Sequence, residues 1–221
     1  MLAGKVKSDL YLFHSEADNS RQSTKCARTL ADKYGYKLVL CKQAKDYLSY
    51  LPHHIYHFES VCSRSDIAYS FLCKEAEKNG VKVLLSGDAA DEVFGGYDIY
   101  QMINDFSKKE NNLSPSLETL LMSGHSDFNR MGMPLDLIFF GGTRRDRWQK
   151  CLESYKFVSK KQEKVCLAYM LENLTGNLVT KFLHRGDRAG MMHSVEVRIP
   201  FLYGPVIDFA LNLPFRDKLR K

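Results

Sequence analysis

Short apolar runs alternate with amphipathic stretches over the first hundred residues. The runs 10–13, 36–41 and 81–85 have the length and the composition of buried β-strands. Between them, residues 18–34 and 65–79 place apolar side chains at helical spacing, and a glycine follows each stretch. Because strands that alternate with helices are typical of parallel sheets with helices on their faces, we predict that arrangement here.

The second half of the chain has a different pattern. Residues 107–116 are polar and have the composition of a loop or linker. Residues 165–183 place leucine, methionine and phenylalanine side chains on one helical face. The sequence therefore predicts an α/β part over residues 1–100, followed by an all-helical half over residues 101–221 that packs against it.

The composition of the 221 residues is that of a globular protein. Hydrophobic residues make up 44% and aromatic residues 12% of the chain, which excludes a disordered protein. No apolar run approaches the ~20 residues that cross a bilayer, and the N-terminus has no recognisable signal peptide. The six cysteines show no C-x-x-C spacing, which excludes a zinc ribbon. We therefore expect reduced thiols in a cytoplasmic protein.

The formal net charge of +6 comes entirely from the second half. Residues 1–110 carry 15 basic and 15 acidic side chains, whereas residues 111–221 carry 17 and 11. The basic residues are dispersed along predicted helices, with small clusters at 144–147 and 216–221. This distribution favours a solvated helical surface over a nucleic-acid site.

The most informative segment begins where the third predicted strand ends. Ser86 and Gly87 come directly after that strand, and a turn of small residues then contains Asp88, Asp91 and Glu92. Open α/β sheets bind ligands beyond the carboxyl ends of their strands, where a Ser-Gly pair lets backbone N–H groups approach a phosphate. Three carboxylates within five residues repel one another, and a bound Mg²⁺ would relieve that repulsion. The alternative is an acidic loop that caps the N-terminus of a helix.

A second segment, residues 184–202, mixes ionisable side chains with apolar ones. Charges in such a setting have to be paired, because an unpaired buried charge is strongly destabilising. Glu196 and Arg198 form the simplest pair that the segment offers, and the alternative is that they are partners of other buried groups.

Three imidazoles lie close together in sequence, at His53, His54 and His57. On a helix this spacing can bind zinc. The H-E-x-x-H arrangement is absent, however, and the neighbouring Tyr56 and Phe58 favour packing over metal binding.

Both informative segments resemble the signatures of a known family. Residues 86–97 read Ser-Gly-Asp-Ala-Ala-Asp-Glu-Val-Phe-Gly-Gly-Tyr, and residues 185–202 read Arg-Gly-Asp-Arg-Ala-Gly-Met-Met-His-Ser-Val-Glu-Val-Arg-Ile-Pro-Phe-Leu. They are similar, in sequence and in order, to two signatures of the synthetase domain of the glutamine-hydrolysing asparagine synthetases. The resemblance extends over residues 9–100 and 165–216.

The resemblance implies a fold and a reaction. The implied fold is that of the adenine nucleotide alpha hydrolases, truncated in this chain. The implied reaction is ATP-dependent and AMP-forming: the family activates aspartate as a β-aspartyl-adenylate, and ammonia from glutamine then displaces AMP. ATP and Mg²⁺ are the implied cofactors, and the implied partners are small-molecule substrates.

Position by position, the resemblance also implies roles for single residues. Ser86 and Gly87 match the ATP-contacting pair of the family. Asp88 lies where the family has an acidic residue that forms or uses the adenylate, so it is the candidate catalytic residue. Asp91 matches the aspartate that binds Mg²⁺ and pyrophosphate, and Glu92 beside it is a second candidate metal ligand.

The second signature contributes candidates for the substrate side of the site, Arg185 and Asp187. Related amide-forming enzymes share this type of domain, among them lasso-peptide and β-lactam cyclases and sugar-acid amidotransferases. The acidic side chain of Asp88 fits the asparagine-forming members better than the cyclases. A non-catalytic remnant that acts as a binding module is a third hypothesis.

The chain departs from the family pattern in several places. The pyrophosphate loop of the family, Ser-Gly-Gly-x-Asp-Ser, precedes the strand that matches 10–13, and no such motif occurs in this sequence. Residue 2 is Leu, so the N-terminal cysteine of the glutaminase domain is absent, and a lysine of the chemical step lies beyond Lys221. Ala89 replaces the usual glycine, and Tyr203 replaces the usual aspartate.

These departures predict that the parallel sheet lacks an internal strand, which leaves backbone unpaired and apolar side chains exposed. The chain alone is then weakly active or inactive. It is either a fragment of a larger synthetase, with a second chain supplying the loop and the glutaminase domain, or a homologue that has lost the reaction.

Overall fold

The computed structural model describes residues 10–16, 21–42, 46–98, 100–101 and 146–218. These residues form a mixed α/β fold, which confirms the predicted class. The strands are β1 (Tyr11–Glu16), β2 (Lys37–Lys42), β3 (Val83–Leu85) and β4 (Glu196–Arg198). The α-helices with defined bounds are α1 (Arg21–Tyr34), α2 (Leu51–Phe58), α3 (Arg64–Lys78), α4 (Ala90–Phe94), α5 (Lys161–Thr175), α6 (His184–Met191), α7 (Gly204–Asn212) and α8 (Phe215–Lys218).

The strands form two small parallel sheets. β1 pairs with β2 from Tyr11 opposite Lys37 to Glu16 opposite Lys42. Helix α1 connects these two strands and packs against both. β3 pairs with β4, and Leu84 lies opposite Val197 at the centre of that pair. The three predicted strands are therefore present and pair in parallel, but β3 pairs with β4 and not with β1 or β2, so the described strands form two pairs instead of the one predicted sheet.

The second half of the chain is not all-helical, because it contains β4. The amide of Glu196 donates to the carbonyl of Lys82 at 2.8 Å, and the amide of Ser86 donates to the carbonyl of Arg198 at 2.8 Å. A strand of three residues is too short to show a period of two, so hydrophobic patterning could not predict it.

The described residues divide into two compact units. Unit 1 comprises 1–86 and 182–198, and unit 2 comprises 87–181 and 199–221. These units do not coincide with the expected ranges 1–100 and 101–221. The expected boundary itself stays a prediction, because residues 102–145 are outside the described part of the chain.

The core of unit 1 lies between its helices and the β3–β4 pair. Helix α3 packs against β1, β2 and α6, and a capping box between Ser63 and Asp66 starts this helix. Four buried residues form the centre, and partly buried side chains of both short strands pack against them: Phe58, Cys62, Cys73, Ala189, Leu84 and Val197.

The core of unit 2 is built around α5. Its apolar face contacts α4 and α8 and is covered by large aromatic side chains. The buried members of this cluster are Tyr100, Trp148, Cys151, Val165, Cys166, Leu167, Ala168, Tyr169, Met170 and Phe215.

The six cysteines all lie in the described residues, and none forms a disulfide. Five are buried, and only Cys26 is exposed. Burial raises the pKa of the thiols of Cys41 and Cys62 to about 11. These thiols are packing residues, as the sequence predicts.

Among the described residues, none of the helices has the length and apolar character required to cross a membrane.

Candidate active site

The β3–β4 pair connects the first residue of one signature segment, Ser86, to the other signature segment. β3 leads directly into residues 86–97, and β4 lies inside residues 185–202. The hydrogen bond from the Ser86 amide to the Arg198 carbonyl joins the first residue of one segment to the other segment. Ser86 is therefore held at the carboxyl end of β3, where open α/β sheets bind their ligands.

The turn after Ser86 has the backbone shape that a glycine would adopt. Ala89 has φ +72° and is 1% exposed, although left-handed backbone is unfavourable for alanine by about 1–2 kcal/mol. The amide of Val93 donates to the carbonyl of Ala89 at 3.0 Å and starts helix α4 from this position. The replacement of the family glycine by Ala89 therefore leaves the turn intact.

Gly87 lies on the open side of the same turn. No heavy atom lies within 4 Å of the position that a Cβ atom would take there, and the residue is exposed. The backbone of Gly87 can therefore be approached closely by a ligand, as the sequence predicts for a phosphate-binding turn.

Asp91 is exposed, and the Gly95–Gly96 bend positions its carboxylate. A Cβ atom at Gly96 would collide with Asp91 Oδ1, so the absent side chain leaves room for the carboxylate. The amides of Gly95 and Gly96 also donate to the backbone carbonyl of Asp91, at 2.9 and 3.1 Å. Gly95 and Gly96 of the first signature thus bond the backbone of Asp91, and Gly96 also leaves room for its carboxylate.

Glu92, by contrast, is directed into the interior of unit 2. It is 2% exposed, and its carboxylate accepts a hydrogen bond from the Tyr97 hydroxyl at 2.5 Å. Burial raises the pKa of Glu92, the Tyr97 hydrogen bond opposes this, and the charges of Asp91 and Asp88 raise it further. The structure therefore does not present Asp91 and Glu92 together as an exposed pair of ligands.

Asp88 is half-buried in the turn between Ser86 and α4. The negative charge of Asp88 contributes to the raised pKa of Glu92. At Glu92 the repulsion from the neighbouring carboxylates therefore adds to the larger effect of burial.

Asp91 is the exposed carboxylate of this turn and has the oxygen atoms that a Mg²⁺ ligand requires. Mg²⁺ prefers oxygen ligands, and where it also binds substrate phosphates it takes only one or two protein carboxylates. The exposed Asp91 offers one such carboxylate, whereas Glu92 is engaged by Tyr97. No group of three or more His, Cys, Asp or Glu side chains in the described ranges is arranged to hold a metal ion.

Arg185 and Asp187 lie on helix α6 in unit 1. The guanidinium of Arg185 lies over the ring of Tyr69 at 4.7 Å and over the ring of Phe182 at 4.9 Å from their centroids. Two aromatic contacts orient this cation and restrict its rotamers. Asp187 is exposed one position beyond Gly186.

Helix α6 is fixed to its neighbours at several points. A Cβ atom at Gly190 would collide with the carbonyl of Val195, so this glycine allows the helix to approach the chain that enters β4. On the other side, Arg188 Nη2 donates to Glu59 Oε2 at 2.9 Å. The segment that carries Arg185 and Asp187 is therefore held between α2 and β4.

The pair that the sequence suggests within the second segment is present at the surface. Arg198 Nε donates to Glu196 Oε1 at 2.9 Å, and Nη2 donates to Oε2 at 3.2 Å. The mutual contact lowers the pKa of Glu196. Both side chains are exposed, so this is a surface ion pair and not a buried one.

The predicted site residues fall into both units. Ser86, Arg185 and Asp187 belong to unit 1, and Gly87, Asp88, Asp91 and Glu92 belong to unit 2. Within unit 1 the structure connects Ser86 to the second signature through β4, and within unit 2 it gathers the three carboxylates around the start of α4.

Two functional candidates were not expected from the sequence. Tyr97 is the hydrogen-bond partner of Glu92, and only the fold shows this. Lys218 belongs to a basic cluster that predicts a solvated surface, yet its Nζ is buried without a hydrogen-bond partner in the described structure. Burial lowers its pKa to about 8. The buried Phe215 three residues earlier was the available signal, because positions three apart share a helix face.

Comparisons with known proteins agree with both signatures. The family model described as asparagine synthase matches residues 1–221. Asparagine synthetase [glutamine-hydrolyzing] 1 of Bacillus subtilis is 28% identical over 201 residues, which cover 80% of this chain and 31% of that protein. Asparagine synthetase [glutamine-hydrolyzing] 3 of the same organism is 28% identical over 169 residues, covering 70% and 24%. The chain thus spans about a third or less of the length of these curated relatives.

Proposed function

Because the chain belongs to the asparagine synthase family, we propose that it is part of an ATP-dependent, AMP-forming ligase that makes asparagine from aspartate. The observation that carries this proposal is the β3–β4 pair, which joins Ser86 to the second signature by a backbone hydrogen bond. Two distant segments that meet at the carboxyl end of a parallel strand are the arrangement expected of a nucleotide site.

The proposed reaction has two steps. A carboxylate oxygen of aspartate forms a bond to the α-phosphorus of ATP, and the bond to pyrophosphate breaks. Ammonia derived from glutamine then attacks the acyl carbon of the β-aspartyl-adenylate, loses a proton and displaces AMP. Bound ATP supplies the adenylyl group, and Mg²⁺ supplies positive charge for the leaving pyrophosphate.

We assign the nucleotide side of the site to the turn after β3. The open position at Gly87 supports close approach of the phosphates to the backbone next to Ser86. The exposed carboxylate of Asp91 is placed to bind Mg²⁺, and the half-buried Asp88 is proposed to act on the adenylate. Glu92 supports them from the interior through Tyr97.

We assign the substrate side to helix α6. Arg185 is held by two aromatic rings, so its guanidinium is oriented before a carboxylate binds to it. Asp187 is exposed two positions further along the same helix, and positions i and i+2 do not share a helix face, so the carboxylate contact is assigned to Arg185 alone. A preoriented guanidinium supports a substrate that carries a carboxylate, as aspartate does.

We further propose that polypeptide outside this sequence completes the site, either as more of the same chain or as a second chain. β3 exposes 39% of Val83 and 72% of Leu85, although strands of this kind are normally covered on both faces. In the described residues each sheet has only two strands. A segment that adds a strand and a helix would cover these side chains and supply the phosphate loop. The six unpaired thiols support a cytoplasmic location.

The test is ATP–pyrophosphate exchange in the presence of aspartate. We would measure it with the purified chain alone and with the separately expressed part of the Bacillus subtilis relative that lies outside the matched region. We expect little exchange with the chain alone and aspartate-dependent exchange with both parts.

The variant that tests the proposed metal ligand is Asp91→Asn, which keeps the size of the side chain and removes its charge. We expect the variant to lose Mg²⁺-dependent exchange, since a charge-assisted contact contributes about 1.5–3 kcal/mol. Absence of exchange with aspartate in the combined sample would overturn the ligase proposal and favour a non-catalytic remnant. Exchange with another carboxylate only would favour a related amide-forming enzyme.

A further inference from the structure

We propose that helix α2 carries a binding site for a divalent transition-metal ion, formed by His53 and His57 on its outer face. The centroids of the two imidazole rings lie 4.4 Å apart, at an angle of 71° between the ring planes. This site is separate from the proposed Mg²⁺ ligands and does not depend on the ligase activity.

The fold separates the three neighbouring histidines into two groups. His54 is 3% exposed, its Nδ1 donates to the carbonyl of Tyr50 at 2.8 Å, and its Nε2 lies 2.6 Å from Ser70 Oγ. Both of its ring nitrogens are therefore occupied in the interior. His53 is exposed and His57 is half-buried, one helical turn apart.

The packing that the sequence predicts for this group is complete at His54. Phe58, which is 2% exposed, lies on the same inner face as His54. The side chains at positions i and i+4 of a helix are neighbours, and this places His53 and His57 side by side on a face about 100° from the buried one. Tyr56 beside them is 79% exposed, and its ring lies 5.3 Å from the ring of His57 between centroids, so one side of His57 is in contact with Tyr56 while His53 is open to solvent.

Two imidazoles one turn apart can chelate one ion. Each ligating nitrogen has to lie about 2.0–2.1 Å from the metal, which brings the two rings close together without contact. The observed centroid separation of 4.4 Å is compatible with that requirement after small rotations about χ1 and χ2. The remaining coordination positions would be filled by water, so the site is open.

The chemistry of the donors selects the metal. Neutral imidazole suits Zn²⁺, Cu²⁺ and Ni²⁺, whereas Mg²⁺ and Ca²⁺ prefer oxygen ligands. No third His, Cys, Asp or Glu side chain within the described ranges joins the pair. We therefore expect affinities in the order Cu²⁺ > Ni²⁺ > Zn²⁺, with no competition from Mg²⁺.

An ion at this position would stabilise a helix that supports α6. Phe58 contacts the ring of His184 at 6.5 Å between centroids, and Glu59 accepts the hydrogen bond from Arg188. Binding of the ion to the native helix alone would raise the thermal stability of unit 1 through mass action.

The experiment is a calorimetric titration of the metal-free chain with Cu²⁺, Ni²⁺, Zn²⁺ and Mg²⁺, combined with thermal unfolding at saturating metal. We expect one ion per chain at this site, the order given above, and a higher melting temperature with each transition metal. We also expect the affinity to fall on acidification, because a protonated imidazole cannot bind a metal.

Three variants test the location. His53→Gln and His57→Gln should each weaken the affinity at least about tenfold, because a single imidazole loses the advantage of two linked ligands. His193→Gln is the matched control: this histidine also lies in unit 1, beside the carboxylate of Glu77 at 3.2 Å. Circular dichroism of each variant checks that it is folded.

The proposal is overturned if the two α2 variants bind with the affinity of the unmodified chain. It is also overturned if His193→Gln alone removes binding, or if the chain binds none of the three transition metals.

Discussion

Asp91 and Glu92 are adjacent in sequence, but their carboxylates have opposite surroundings. Asp91 is exposed beside a glycine bend, whereas Glu92 is buried and bonded to Tyr97. Consecutive positions of a helix point about 100° apart, so only one of the two can face solvent here. The resemblance to the family implies that Asp91 and Glu92 are both metal ligands. In the structure only the Asp91 carboxylate is exposed to an ion from outside, whereas the Glu92 carboxylate is held in the interior by Tyr97.

The buried carboxyl group predicts a specific dependence of stability on pH. Because folding raises the pKa of Glu92, its contribution to stability is present at low pH and is lost as pH rises above 4.5 through the folded value. Glu92→Gln removes this titration and keeps an oxygen that can accept from Tyr97. We therefore expect the variant to become more stable relative to the unmodified chain as pH rises.

Urea unfolding of both proteins between about pH 4 and 8 measures this difference. Glu153→Gln, which removes an exposed carboxylate from the same unit, is the control for the loss of one negative charge. A stability difference between Glu92→Gln and the unmodified chain that stays constant with pH would contradict the interpretation.

At the scale of elements, the contact between α6 and the segment entering β4 depends on glycine. Two glycines of α6 face this segment, but they differ in the space around them. A Cβ atom at Gly190 would collide with the Val195 carbonyl, whereas one at Gly186 would lie 3.6 Å from Val197 Cγ1, an ordinary contact distance. The two positions form a matched pair on one helix.

We predict that Gly190→Ala destabilises the protein by about 1–3 kcal/mol, because the backbone of α6 or of the β4 segment has to shift. Gly186→Ala should be neutral or stabilising, since alanine favours the helical backbone by roughly 1 kcal/mol over glycine. Chemical unfolding of both variants gives the comparison. Equal losses of stability in Gly190→Ala and Gly186→Ala would show that the close approach of the Val195 carbonyl to Gly190 does not cause the destabilisation.

At the scale of the whole molecule, each described unit contains residues from both halves of the sequence. Residues 182–198 complete unit 1, and residues 199–218 contribute to unit 2. The two cores consist of different residues, and each has its own aromatic members. The exposed apolar face of β3 belongs to unit 1.

That face predicts the behaviour of the isolated chain. Leu85→Gln removes the most exposed apolar side chain of β3, so we expect the purified chain to self-associate less. The same variant should reduce aspartate-dependent exchange in the combined sample, because the added segment would lose a packing contact. Light scattering after size-exclusion chromatography measures the first effect.

Phe157→Gln is the control for that experiment, since Phe157 is 77% exposed and lies in unit 2. It should leave the exchange in the combined sample unchanged. If both variants reduce self-association equally and neither alters exchange, the β3 face is an ordinary exposed patch.

The sequence by itself determined the elements that depend on local patterning. Short apolar runs predicted β1, β2 and β3, and helical periodicity predicted α1 and α3, because each of these patterns lies within a single segment. The two signatures also identified the family and located the candidate residues. These features are local, so the sequence of each segment is enough to predict them.

Only the tertiary structure decided how distant or neighbouring residues are used. β4 exists because Glu196–Arg198 pairs with a strand more than a hundred positions earlier, and a three-residue segment has no readable period. Tertiary packing likewise distinguishes the buried His54 from its neighbours His53 and His57, and the buried Glu92 from the exposed Asp91. Which side of a helix is buried depends on the elements that pack against it, and the sequence of the helix alone does not identify those elements.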